Sequence, residues 1–274
     1  MLSVVELAAH SDLVLSTASC QDDHEAWSPA ESSGDWYRLV LVRRGRFRRH
    51  VRGLTMCADP TTGYVSAPAQ EERFAHPAGS DACTSISLSP AFWQSLAGDG
   101  APPLHGLPVD AELDLAHRRV LASGEKDYGL VERLLDLVGT ALRRVPDTPR
   151  WVLRDAGLVD RARAAILDDA PEAADLMSLA RLLGVSPYRL SRVFSRSAGM
   201  SITRFRNTVR VRRALDRLEG GDDSIAAIAA DLGFTDQAHL SRTVREHVGQ
   251  PPSALRRLLR PQKCTSRAGT ESRS

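Results

Sequence analysis

Arg192 and Arg242 stand in the same tripeptide, Leu-Ser-Arg, at positions 50 residues apart. A guanidinium holds its donors in a planar fork, which fits O6 and N7 of guanine and equally fits a phosphate. Gln237 can make the corresponding paired bonds to adenine. Arg196 and Arg245 lie further along and suit phosphate or solvent better than bases. Asp236 would repel phosphate, which leaves it as a helix cap or a reader of cytosine. Other chemistry is hard to place. His24, His50, His76, Cys20, Cys57 and Cys83 are the metal-capable residues of the first half, but they form no H-x-H and no C-x-x-C pair. The expectation is therefore no metal and no cofactor. No Ser-His-Asp set, phosphate-cradling loop or dinucleotide motif is present, so the chain reads as a non-enzyme.

The elements that would carry these side chains are written twice. Ser224 opens the later copy as an N-cap, and Ile225, Ile228, Ala229 and Leu232 follow at helical spacing. Gly233 ends that helix where a left-handed backbone is needed, and Thr235 or Asp236 caps a second helix with Leu240 and Val244 inward. Ala229 is small where the helices cross. The pattern predicts a helix-turn-helix, a pair whose second helix enters the major groove of DNA. Ala180 and Gly184 match Ala229 and Gly233 at an offset of 49, whereas Leu190, Ser191, Arg192, Gly199 and Arg206 match their partners at 50. The later turn is thus one residue longer. A repeat of this quality is hard to obtain by chance.

With G-F-T-D-Q-A-H-L-S-R and G-Q-P-P-S-A-L-R closing the second copy, residues from Leu158 to about Leu259 resemble the AraC/XylS family of transcription regulators. One departure is that the family usually has Phe where this chain has Leu240 and Val244. The resemblance implies a sequence-specific DNA-binding regulator with double-stranded promoter or operator DNA as partner, and with RNA polymerase as partner where it activates. It implies contact positions at Tyr188, Ser191 and Arg192, beside Pro187, and at the matching Asp236, Gln237, His239, Ser241 and Arg242, with Arg196 and Arg245 further along each helix. It implies an N-terminal cupin-like barrel that binds a small-molecule effector, and a homodimer contact through helices at 111–144. An alternative is a DNA-modifying or cupin-type metalloenzyme carrying a helix-turn-helix module. Its metal ligands and its reactive P-C-H-R site are missing.

Charge divides the chain in the same place. Residues 151–274 carry 21 Lys+Arg against 14 Asp+Glu, and residues 1–150 carry 15 against 20. A basic half suits a polyanion. Only Lys126 and Lys263 are lysines, so nearly every cation is arginine. The start has no basic segment followed by an apolar run, and no stretch approaches the ~18 apolar residues of a membrane span. A cytoplasmic, nucleoid-associated protein without membrane contact is expected.

The fold class expected is α+β: a small N-terminal β-barrel sensor with following helices, then an all-α domain of two helix-turn-helix units joined by a long helix. The boundaries read as 1–145 for sensing and dimerisation, 146–157 for a linker around Pro146 and Pro149, 158–260 for DNA binding, and 261–274 for a disordered tail. Residues 1–35 look polar and irregular. Trp36–Val42 and Arg46–Val51 read as a hairpin turning at Gly45, with further strands at Gly63–Val65 and Thr84–Leu88. The arginines at 43, 44, 46, 48, 49 and 52 form either a solvated hairpin face or an anion-binding wall. Helices are expected at 91–96, 111–121 and 128–144. The last has an apolar stripe of Leu130, Leu134, Leu137, Val138 and Ala141, broadened by Val131, Leu135 and Leu142. The joining helix, Ile202–Leu218, would be a rod of roughly 24 Å, fit to hold two reading helices in successive major grooves about 34 Å apart.

Overall fold

The structure is a computed structural model that describes residues 2–21, 24–98, 102, 106–123, 128–144, 155–221 and 223–259. Most of the expected linker, the expected tail and Cys264 lie outside the described residues. The chain forms two compact units, neither continuous in sequence. One comprises the residues up to Leu113 with Val138–Arg210, and the other comprises Asp114–Leu137 with the residues from Val211 onward.

Among the described residues, the first unit holds every strand. These are β1 (Leu2–His10), β2 (Leu13–Cys20), β3 (Glu31–Ser32), β4 (Tyr37–Arg44), β5 (Phe47–Val51), β6 (Leu54–Ala58), β7 (Thr62–Ser66), β8 (Glu71–Ala75), β9 (Asp81–Leu88) and β10 (Leu107–Pro108). They form a six-stranded sheet in the order β1-β2-β9-β4-β7-β10 and a four-stranded sheet in the order β3-β8-β5-β6. Among the described residues the sheets do not close into the expected barrel: β1 and β10 end one sheet, and β3 and β6 end the other. The expected hairpin at Gly45 is corrected too: β4 pairs with β7 and β9, while β5 pairs with β6 and β8. The chain changes sheet at Gly45 (φ +73), where a Cβ would come within 2.4 Å of the Ser80 carbonyl oxygen. The irregular segment expected at 1–35 contains the β1–β2 pair, whose inner strand buries Leu13 and Leu15 in alternation.

Val40, Val42, Phe47, Ala58, Tyr64 and Cys83 make one core of this unit. Alternation along β5 turns Arg49 inward beside them, where it is wholly buried. Its Nε donates to Glu72 at 2.9 Å, and its guanidinium lies 4.4 Å from the centre of the Tyr64 ring. The arginine run is therefore neither a single solvated face nor a single anion wall: Arg49 is internal, and Arg46 pairs with Asp168.

The same unit contains α1 (Pro90–Ala97), capped by Ser89, as well as α4 (Ala156–Leu167), α5 (Leu176–Leu182) and α6 (Pro187–Ala198). Leu158, Val159, Ala162 and Ile166 from α4 pack with Leu179, Ala180, Leu190, Phe194 and Phe205. Arg163 of α4 reaches both carboxylate oxygens of Asp59 at 2.8 Å, together with the hydroxyls of Thr61 and Thr62. Asp160, one turn earlier on α4, is pushed up to about 6, by burial first, with Arg163 opposing and Asp59 adding to the rise.

The second unit is helical. It is built from most of α2 (Ala111–Ala122), the first part of α3 (Tyr128–Leu142), the later part of α7 (Ile202–Gly220), and α8 (Ile225–Asp231), α9 (Gln237–Val248) and α10 (Pro252–Leu259). Leu115 joins Val211, Leu215, Leu218, Ile228, Leu240, Val244 and Leu255 in its core. The same unit contains a buried ion network. Asp114 accepts from Arg118 Nε at 3.0 Å and Arg212 Nη2 at 2.7 Å, and Arg118 also meets Asp216 at 2.7 Å and Glu219 at 2.9 Å. Burial alone would raise Asp114, but Arg212 and Arg118 outweigh it and hold the carboxyl at about 2. The α3 stripe of Leu130, Leu134, Leu137, Val138 and Ala141 is buried within this single chain, and Val131, Leu135 and Leu142 are half-buried. Among the described residues, no helix is long and apolar enough to cross a membrane.

Candidate nucleic-acid interface

The two repeats fold alike, residue for residue, up to the inserted position. Asp175 and Ser224 cap α5 and α8 with their side-chain oxygens. Val185 N donates to Ala180 O at 3.0 Å, and Phe234 N donates to Ala229 O at 2.9 Å. Gly184 and Gly233 both sit at φ +68, and Gly199 and Gly249 end α6 and α9 at +67 and +76. These are left-handed positions, where only glycine avoids a steric penalty. Ser186 caps α6, with Pro187 in its first turn, and Asp236 caps α9 by accepting the His239 N–H at 2.6 Å. The capping role is thus the one Asp236 takes here.

Each second helix buries one side and presents the other. Leu190 and Phe194 of α6, and Leu240, Thr243 and Val244 of α9, are the inward residues. Leu240 and Val244 are fully buried, so the core closes around them without the family's phenylalanines. Outward, Tyr188 is 69% exposed, and Arg192, Arg196, Gln237, Arg242 and Arg245 are exposed as well. Pro187, Ser191, His239 and Ser241 are half-buried on the flanks. Arg192 donates to the Tyr188 hydroxyl at 2.8 Å, with its guanidinium 5.3 Å from the ring centre. That contact holds an otherwise loose side chain against a flat partner. His239 is more committed: Nδ1 accepts the Thr235 N–H at 3.3 Å, and the ring meets Phe234 edge-on at 5.3 Å. Nε2 then carries the proton and is the only ring atom left to donate.

Arg189 is absent from the contact set that the sequence suggests. It is exposed on α6 and paired with Asp155 at 3.1 Å. The offset of 50 that aligns Arg192 with Arg242 also aligns Arg189 with His239, and Arg189, Arg192 and Arg196 share one helical face by spacing. That signal was available in the sequence. The arginines of the long helix α7 divide between buried and exposed positions. Arg212 is buried on Asp114, Arg217 pairs with Asp223 and Asp231, and Arg204 stays exposed.

Of the metal-capable residues, the structure leaves Cys57 and His50 apart from the others. Cys57 is half-buried, its thiol pushed up to about 12 by burial, and His50 meets Thr55 and Trp27. Cys20, His24, His76 and Cys83 converge, together with Asp81.

A duplicated helix pair with outward arginines at matched positions is the arrangement of a helix-turn-helix, a motif whose second helix enters the major groove where it binds DNA. Residues 179–258 match the family described as "Helix-turn-helix domain". This region is a helix-turn-helix domain. The HTH-type transcriptional regulator GlxA of Rhizobium meliloti is 28% identical over 226 residues, covering 80% of this chain and 65% of that protein. The arabinose operon regulatory protein of Escherichia coli is 33% identical over 82 residues, covering 30% of this chain and 28% of that protein. The chain therefore spans less than two thirds of the length of either relative. Among solved structures, ToxT from Vibrio cholerae aligns over 91% of this chain and 99% of its own, at 12% identity and a TM-score of 0.38.

Proposed function

We propose that this protein is a sequence-specific, DNA-binding transcription regulator in which α6 and α9 are the reading helices. The observation that carries the reading is the duplication itself. Caps, left-handed glycines and buried leucines recur at matched positions, and Arg192 and Arg242 emerge outward from the same place in each copy. Each copy takes its own major-groove segment of one operator, with Tyr188, Arg192, Gln237 and Arg242 nearest the bases and Arg196 and Arg245 nearest phosphate. The N–H left on His239, and the half-buried Pro187, Ser191 and Ser241, suit contacts at the edge of that surface. Residues 1–145 take the sensing role for a small-molecule effector. Half-buried Val131, Leu135 and Leu142 in the 111–144 region supply the face for a second copy. RNA polymerase is the partner where the bound site lies beside a promoter, and the protein works in the cytoplasm at the nucleoid. The relatives' names, a transcriptional regulator and an operon regulatory protein, support the same reading.

The test is selection of bound DNA from a random pool by the full-length protein, followed by footprinting of the recovered site. One preferred sequence, protected over two separate segments, is expected. Equal binding to every duplex at the same salt would refute sequence-specific reading.

A further inference from the structure

Strand register brings five chemistry-bearing residues to one end of the sheets in the first unit. Cys20, the last residue of β2, sits opposite Asp81, the first residue of β9. His76, just past β8, is joined to His24 by an isolated antiparallel bridge. One ligand atom each from Cys20, His76 and Asp81 lies within 4.8 Å of the others. Cys20 and Asp81 are only 6% and 7% exposed.

The hydrogen bonds fix which atoms carry protons. His24 Nδ1 lies 2.8 Å from the Ala26 carbonyl oxygen, which can only accept, so that nitrogen holds the ring proton. His24 Nε2 is then an acceptor, and His76 Nδ1, 3.0 Å away, must donate to it. In a neutral ring this leaves the lone pair on His76 Nε2, which is 3.1 Å from Asp81 Oδ2. That oxygen is buried and has no hydrogen-bond donor among the described residues. The other carboxylate oxygen accepts from the Cys83 thiol at 3.4 Å. A ring lone pair, an unsatisfied carboxylate oxygen and the Cys20 sulfur thus converge on one buried point.

We propose that Cys20 Sγ, His76 Nε2 and Asp81 Oδ2 bind one divalent metal ion of the zinc class, with solvent in the fourth position. Bonds of about 2.0–2.1 Å to a tetrahedral centre place nitrogen and oxygen ligands roughly 3.3 Å apart, close to the separation seen here. A thiolate and a carboxylate balance the ion's charge, and a mixed sulfur, nitrogen and oxygen set favours zinc over magnesium or calcium. His24 and Cys83 orient the ligands by holding His76 Nδ1 and Asp81 Oδ1. The ion would tie the end of β2 to the connection between β8 and β9, and so would join the two sheets. The expectation of no metal rested on local spacing, whereas this set is assembled by pairing across the sheet.

The test uses the full-length protein, stripped with a chelator and titrated with zinc against a chromophoric competitor. One zinc per chain is expected. Cobalt(II) in its place should give a sulfur-to-cobalt charge-transfer band in the near ultraviolet. Cys20→Ser should abolish that band, Asp81→Asn should weaken zinc binding, and His24→Gln should weaken it about 10- to 100-fold. His50→Gln should change nothing. A wild-type protein that retains no zinc would overturn the proposal. A cobalt spectrum without the thiolate band would overturn it equally, whether or not the cysteine variant folds. Because metal content is the readout, the outcome is independent of DNA binding.

Discussion

Replacing Asp160 with asparagine should stabilise the protein near neutral pH. Asp160 lies on α4 one turn before Arg163, but that guanidinium is drawn to both oxygens of Asp59 and to the hydroxyls of Thr61 and Thr62. Burial, with the Asp59 charge adding to it, lifts the Asp160 carboxyl from 3.8 to about 6 against the pull of Arg163. Because the folded value lies above the unfolded one, the folded state binds the extra proton. Stability is therefore full below 3.8 and declines as pH rises through about 6. The ionised group costs about 3 kcal/mol at pH 7 if the whole difference is realised, and about 1–2 kcal/mol if water reaches the half-buried side chain. The amide keeps the shape of the carboxylate and removes its charge. Urea denaturation of the wild type and of Asp160→Asn, followed by circular dichroism at several pH values between 4 and 8 (roughly the span of the titration), measures the effect. The variant should gain stability above pH 6 and should lose the decline across that window. A variant less stable than the wild type at neutral pH would refute the reasoning, because it would mean that the Asp160 charge is held by Arg163 rather than opposed by its surroundings.

Other outcomes are equally specific. Arg242→Ala should cost about 1–3 kcal/mol on the preferred operator and relax selection at one base, measured by binding to a panel of single-base variants. Arg245→Ala should weaken all sequences alike and reduce the salt dependence, as expected for a phosphate contact. Asp114→Asn removes the buried carboxylate shared by Arg118 and Arg212, leaving Arg118 with Asp216 and Glu219, and should cost about 3 kcal/mol in denaturant melts. In the wild type the Asp114 contribution, set by a carboxyl held at about 2 against 3.8, is present above pH 3.8 and fades as pH falls through 2. Gly233→Ala, forced to φ +68, should destabilise the second helix pair by about 1–2 kcal/mol, read as a lower melting temperature.

The helix-turn-helix pairs were legible because their determinants are local. A cap, a stripe at helical spacing and a left-handed glycine all fall within about 25 residues, and each recurs in the partner copy. The sheets were less legible because pairing is a long-range property. Gly45 looked like a hairpin turn in a run of strand formers, yet the chain there leaves one sheet for the other, and only the close Ser80–Asp81 backbone shows why glycine is needed. The β1–β2 pair was missed because β1 is exposed along much of its length, including Leu2, Val4 and Val5, and so lacks the alternation of a half-buried strand. Arg49 defeated the charge reading for the opposite reason: a lone internal cation cannot be told from its solvated neighbours until Glu72 is seen beside it. The convergence of Cys20 with Asp81 depends on a register between residues 61 positions apart, which no spacing rule reports.

The carboxylate of Asp114 bears on how this protein should be dissected. An expression fragment beginning near residue 158, the natural place to cut for a free DNA-binding piece, would discard Asp114, Leu115 and Arg118 from the unit that contains α8 and α9. Arg212 would lose the carboxylate that faces it in the interior, and a hole would open where Leu115 had been. Weak or absent DNA binding by such a fragment would then report a damaged scaffold rather than a missing sensor, and a piece that retains the α2 segment is the fair comparison.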